Sequence, residues 1–189
     1  MATVRLLPDF DNSKRRYLLD TNFLFCVFAD TDFSTKNITR QKKYLAFVET
    51  AKKNNFELFV SSFALSEYFN RVLRFHFQIW ERKKENSGKD FKKDFRISDE
   101  CKACIAALKE EVDQIAKICI FIDDSFSLYK KENYFPYFEA FDFNDSLFAH
   151  VALANNCVLV TEDRDFNAPV FKNLNVLTAN DTMYKSRES

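Results

Sequence analysis

The chain has 189 residues, 47% of them apolar, which is enough for one sizeable core and short for two, so 1–189 reads as a single domain. Lysine plus arginine equals aspartate plus glutamate at 28 each, so net charge gives no argument for a nucleic-acid, membrane or acidic partner. No apolar run approaches the roughly 20 residues that span a bilayer, and five cysteines with no signal peptide fit a reduced, cytoplasmic protein.

In chain order, residues 1–14 lack periodicity and read as an arm on the surface. Arg15 to Leu19 is a brief apolar strand that runs into Asp20-Thr21-Asn22 and an apolar helix from Phe23 to Ala29. That places Asp20 at a strand's carboxyl end, although Asp20 or Thr21 as a simple helix cap explains the same residues. After a loop at 30–35, a helix is expected over 37–54, then a strand over Phe56 to Ser61. A long helix follows from Phe63 to about Lys84. Leu65, Phe69, Val72, Leu73 and His76 form its buried stripe, with Glu67, Asn70, Arg71 and Arg74 on a neighbouring polar stripe. Residues 85–95 hold the only glycine, Gly88, and read as a connection before a helix over 98–117. Cys101-x-x-Cys104 falls inside that helix without a second pair or a nearby His, which argues against zinc.

Ile118 to Ile122 is a β-branched strand ending on Asp123-Asp124, followed by a short helix over 125–134 and a turn at Phe135-Pro136-Tyr137. Asn144 to about Asn155 reads as an amphipathic helix with Asn144 as its N-cap and Asp145 in its first turn. Cys157 to Thr161 is a short apolar run of the kind buried in parallel sheets, and Glu162, Asp163 and Asp165 follow it. Leu174 to Thr178 is a last strand, and 179–189 a polar tail. Strands alternating with helices argue for a three-layer α/β/α fold with a central parallel sheet of about five strands. Residues 81–117 read as a helical insertion or extended helices.

Asp20, Glu67, Asp145 and Asp163 each lie at, or one turn beyond, the carboxyl end of an expected strand, and they come from four segments. In a parallel sheet those ends share one edge. Converged carboxylates repel one another unless a cation neutralises them, and hard oxygen donors select Mg²⁺ or Mn²⁺. Such a cage suits two-metal phosphodiester hydrolysis and needs no His, Cys or Ser nucleophile. His76 and His150 sit on helices dominated by core residues and read as packing residues.

Leu18-Leu19-Asp20-Thr21-Asn22, Ser61-x5-Glu67, Asp145-x3-Ala149-x2-Ala152 and Leu159-Val160-Thr161-x-Asp163-x-Asp165-Phe166, in this order, resemble the signature of the PIN domain, which includes the VapC-type toxin ribonucleases. The resemblance implies a metal-dependent endoribonuclease with Mg²⁺ or Mn²⁺ at the acidic cluster, cutting single-stranded or loop RNA. By it, Asp20, Glu67, Asp145 and Asp163 are the catalytic metal-binding acids, and Asn22 and Thr161 are supporting polar residues. Asp165 is an extra ligand or a turn-fixing residue, and Asp142 competes for the third ligand position. The chain is longer than a compact toxin of this family, with the excess at 81–117.

From Arg82 to Arg96 seven basic residues stand against three acids, while Asp123 to Asp165 holds nine acids against three bases. Lys92, Lys93, Arg71 and Arg74 are therefore the candidate RNA contacts, with Phe91 and Phe95 either stacking on unpaired bases or packed inward. The partners implied are an RNA substrate, an antitoxin protein and a second copy of the chain, with no membrane. The rival function is a catalytically silent PIN-like module that binds RNA or protein.

Overall fold

In a computed structural model of the chain, the described residues are 2–9, 16–29, 35–124, 126–128 and 142–185. Six strands form one parallel sheet: β1 (Thr3–Leu6), β2 (Arg16–Leu19), β3 (Glu57–Ser61), β4 (Ile120–Ile122), β5 (Val158–Val160) and β6 (Asn175–Thr178), in the order β1-β6-β5-β2-β3-β4. Helices α1 (Thr21–Phe28), α2 (Thr35–Lys53), α3 (Ser62–Glu81), α4 (Asp99–Ile118), α5 (Phe143–Ala154) and α6 (Asp181–Lys185) surround it in a three-layer α/β/α arrangement.

The inner strands are short because they need only cross a core buried on both faces, and their sequences are continuous apolar runs for the same reason. Tyr17, Leu18, Leu19, Val60, Leu159 and Val160 are all buried, while the edge strand β4 leaves Ile120 and Phe121 half exposed. Rings fasten α2 to the sheet and to α1: Tyr17 of β2 meets Phe47 edge-on at 5.0 Å, and Phe23 of α1 meets Tyr44 at 4.9 Å. Between α3 and α4 the buried Tyr68 hydroxyl donates to Glu111 at 2.6 Å.

Three sequence expectations are corrected. Residues 3–6, expected in a surface arm, instead pair with 175–178 as β1, giving six strands rather than five. Val4 is buried in that pairing, which supplies the reason: an apolar residue between polar Thr3 and Arg5 suits a half-covered edge strand. Residues 181–185 of the expected polar tail form α6, anchored by the buried Met183 and by Asn180, whose Oδ1 accepts from the N–H groups of Thr182 and Met183. The N-cap of α5 is Asp142 rather than Asn144, its carboxylate accepting from the Asp145 N–H at 3.0 Å. Of the helix expected over 125–134, Phe126–Leu128 is a 3-10 turn and the remainder lies outside the described residues, as do the turn at Phe135-Pro136-Tyr137 and most of the 30–35 loop.

A chain with one glycine needs another way to leave helices. Asn55, Asn156 and Asn173 take positive φ values of 55°, 51° and 69° just ahead of β3, β5 and β6. Asn tolerates the left-handed conformation that closes a helix or turn better than other residues with a Cβ.

Candidate functional site

The chain leaves β2 toward β3 on one side, while β5 lies on the other, so the strand order reverses at β2. A crevice opens at such a point beyond the strands' carboxyl ends. Leu19 is in register with Val160, so the next residues, Asp20 and Thr161, emerge side by side.

Asp20 occupies the N-cap position of α1 but makes no side-chain capping bond. Its buried carboxylate instead accepts from the Thr161 hydroxyl at 2.5 Å and from the Asn22 amide at 3.1 Å. The carboxylate therefore does not cap α1 through its side chain, although Asp20 stands at the N-cap position. Burial pushes Asp20 up to about 6 and outweighs the hydrogen bonds from Thr161 and Asn22, while the charge of Glu67 adds to the rise.

Glu67 reaches the same corner through Thr21, whose hydroxyl donates to Glu67 Oε2 at 3.1 Å. Ser61 caps α3 by accepting from the Ala64 N–H and so sets where the helix begins, six residues before Glu67. Asn22 is shared: as it donates to Asp20, its Oδ1 accepts from Arg71 Nη1 at 2.6 Å.

On the β5 side, the Thr161 hydroxyl accepts from the Asp163 N–H at 3.0 Å, and Asp163 Oδ1 accepts from the Asp165 N–H at 3.0 Å. Asp163 thereby caps a 3-10 turn over Arg164–Asn167. Asp145 lies in the first turn of α5, and its carboxyl is pushed up to about 7, first by burial and then by the charges of Asp142, Asp163, Asp165 and Asp20. Asp165 is raised by burial and by Asp163 and Asp142.

Asp20, Asp145, Asp163 and Asp165 thus share one electrostatic neighbourhood, and Glu67 joins through Asp20. Among the described residues, however, no three His, Cys, Asp or Glu side chains stand close enough together to hold a metal ion. Asp142 is turned to capping α5. All five cysteines are free thiols, four of them buried.

In the basic segment the structure takes the inward-packed alternative for Phe95. Phe95 is fully buried and packs on Trp80, Phe77 and Phe91 at 5.5 to 5.7 Å, so it is core and unavailable for stacking on bases. Phe91 is half-buried, with the Arg74 guanidinium 4.0 Å above its ring. The aromatics pack inward because only a local apolar cluster can hold a charged connection against the helices. Lys92 and Lys93 are exposed, and both their N–H groups donate to Asp90 Oδ1 at 2.8 Å.

Sequence reasoning missed a second polar assembly on the far side of the Thr161–Asp165 loop. Tyr44 donates to Glu162 Oε1 at 2.5 Å and accepts from the Ala179 N–H at 3.1 Å, while Arg40 pairs with Glu162 Oε2 at 3.3 Å. Asn180 Nδ2 also donates to the Glu162 carbonyl. Strand alternation carried a signal, since Glu162 must point away from Thr161 and Asp163.

A parallel α/β sheet with an acidic crevice at its switch point defines the class. Residues 17–172 match the model of the PIN domain, and the chain belongs to the PIN domain family. Solved structures with a similar course include VapBC2 from Rickettsia felis, bound to a DNA fragment from its promoter. There the identity is 20%, the TM-score 0.49, and the match covers 86% of this chain and 97% of that one. PAE2754 from Pyrobaculum aerophilum is 15% identical with a TM-score of 0.48, covering 92% and 90%. No curated protein gives a significant match.

Proposed function

We propose that this protein is a Mg²⁺- or Mn²⁺-dependent endoribonuclease. The observation that carries the reading is the Asp20 carboxylate. It is buried at the switch point, makes no side-chain capping bond, and is held by Thr161 and Asn22 beside the charges of Glu67 and Asp145. Members of the PIN family are generally nucleases, and the four acids of the family signature are present in order.

The donor set fits the group. Asp20, Glu67, Asp145 and Asp163 offer hard oxygen atoms, and burial, with neighbouring negative charge added, pushes the carboxyls of Asp20 and Asp145 up. A bound ion of this kind polarises the scissile phosphate and lowers the pKa of an attacking water. The chain's own contribution is positional. Thr161 and Asn22 fix the orientation of Asp20, and Thr21 fixes that of Glu67. The Asp163–Asp165 turn sets the height of the β5 loop. Arg71, linked to Asp20 through Asn22, supplies positive charge where an RNA backbone would approach an otherwise repulsive centre.

The finer reading is a toxin ribonuclease restrained by an antitoxin. It rests on the signature motifs, and co-purification of the chain with its chromosomal neighbour's product tests it. One observation favours the rival, a silent binding module: the carboxylates are not drawn in to metal-binding separation among the described residues. Cleavage of structured and single-stranded RNAs and DNAs by wild type and Asp20→Asn, with Mn²⁺, Mg²⁺ or EDTA, separates the two. Metal-dependent cutting lost in the variant supports the nuclease. No cutting together with no metal binding by calorimetry supports the silent module.

A further inference from the structure

Along the outer face of α3, starting at Glu67, runs a groove of about 640 Å³ walled by Phe25, Arg71, Arg74 and Phe75. That volume lies within the range of ligand-binding clefts. Its two arginines share an unusual arrangement. The Arg71 guanidinium lies 4.4 Å from the centre of the Phe25 ring and that of Arg74 lies 4.0 Å from the centre of Phe91. Neither has a carboxylate partner among the described residues. Both side chains are exposed. Each guanidinium is therefore a flat cation held over an aromatic ring at the groove wall, with its side chain exposed.

A second cavity shows the contrast. Near α6, Arg40 and Lys43 line a space of about 410 Å³, but they are already paired with Glu162 and Asp181 at 3.3 and 3.2 Å. In the α3 groove Arg71 instead gives a hydrogen bond to Asn22 and Arg74 lies over Phe91, with no carboxylate paired to either among the described residues.

We infer that the α3 groove is a stacking platform for an unpaired RNA strand, in which Arg71 and Arg74 take base faces as well as backbone charge. The inference rests on the ribonuclease reading and names where that substrate's flanking nucleotides lie. Base planes are available to such a platform only in an unpaired strand, because in a duplex they are covered by their neighbours. The groove's start at Glu67 and the Arg71–Asn22–Asp20 hydrogen bonds make it continuous with the acidic crevice. Planarity distinguishes this from simple charge attraction, since lysine supplies the charge without the plane.

The test is fluorescence anisotropy in EDTA, with labelled single-stranded ten-nucleotide RNA and a duplex of the same length, on wild type, Arg71→Lys, Arg74→Lys and both alanine variants. Wild type is expected to favour the single strand. Each lysine variant should weaken single-strand binding about tenfold with an unchanged salt slope. Each alanine variant should also lower the slope by about one. Lysine variants that bind like wild type, or a duplex held as tightly as the single strand, overturn the platform. Cleavage of the same RNA in Mn²⁺ is scored separately. The expected binding pattern without cleavage sinks the nuclease and keeps the groove, whereas cleavage with unaltered lysine variants does the reverse. Circular dichroism confirms that these surface variants fold.

Discussion

Thr161 and Asp20 are 141 residues apart in the chain and joined by a 2.5 Å hydrogen bond within the buried crevice. The register of β2 with β5 makes that meeting unavoidable once the strands pair. Thr161 also accepts from the Asp163 N–H, so one hydroxyl spaces two of the four signature acids. Thr161→Val should lower RNA cleavage by one to two orders of magnitude, on the scale seen when a group orienting a metal ligand is lost. Thr161→Ser should retain most of it. Equal activity in the valine variant would show that the hydroxyl is dispensable.

Asp20 should make stability fall with rising pH in metal-free protein. Its carboxyl is raised from 3.8 to about 6, so the folded chain holds the proton more tightly than the unfolded one. The unfolded state then binds fewer protons between those values, and stability drops as pH climbs through them. For Asp20 the loss is roughly 3 kcal/mol by pH 8, and Asp145, raised to about 7, extends the window upward. Urea denaturation in EDTA should find Asp20→Asn more stable than wild type at pH 8 and little different at pH 4. An equal difference at both pH values would contradict the assignment.

Tyr44→Phe removes the donor to Glu162 and the acceptor of the Ala179 N–H. Both partners are well shielded, so the cost should be about 1–3 kcal/mol in a denaturant titration. Arg40 still pairs with Glu162, which keeps the loss below that of a stranded charge. The loop carrying Asp163 should loosen with it, weakening metal binding in calorimetry. An unchanged metal affinity would separate this assembly from the site.

Charge reversal at Lys92 and Lys93 tests the basic connection. Their side chains are exposed beside Phe91, over which Arg74 lies. Lys92→Glu with Lys93→Glu should weaken RNA binding at low salt and flatten its salt dependence by about two. Binding that keeps both affinity and slope would mean that this face is only solvated.

Asn156 should accept glycine. With φ at 51° it sits between α5 and β5 in a conformation that costs an alanine about 1 kcal/mol or more. Thermal melts should place Asn156→Gly within about 0.5 kcal/mol of wild type and Asn156→Ala clearly below it. Reversal of that order would remove backbone strain as the reason for asparagine there.

Much of the fold was legible because parallel strands buried on both faces are written as apolar runs. Leu58 to Val60 and Val158 to Val160 could hardly be placed elsewhere. Thr3 to Leu6 escaped because an edge strand with one buried residue leaves almost no periodic trace. The family signature brought Asp20, Glu67, Asp145 and Asp163 to notice, yet the roles of Thr21 and Tyr44 depend on contacts across 46 and 118 residues, which no local pattern encodes. Phe95 stayed open between two roles for a simple reason: an aromatic among lysines looks the same in sequence whether it faces water or a neighbouring tryptophan.

The position of β2 between β3 and β5 has a temporal side. As the chain is synthesised, Asp20 and Glu67 emerge first and can be seated by β2, β3 and α3. Asp145 and Asp163 follow only after the long excursion through α4, and until β5 docks, the inner flank of β2 lacks its hydrogen-bonded neighbour. An unfinished chain therefore carries half of the acidic crevice and no Thr161 to hold Asp20. Any activity that needs all four carboxylates stays silent on the ribosome until β5 and Asp163 have emerged and docked against β2.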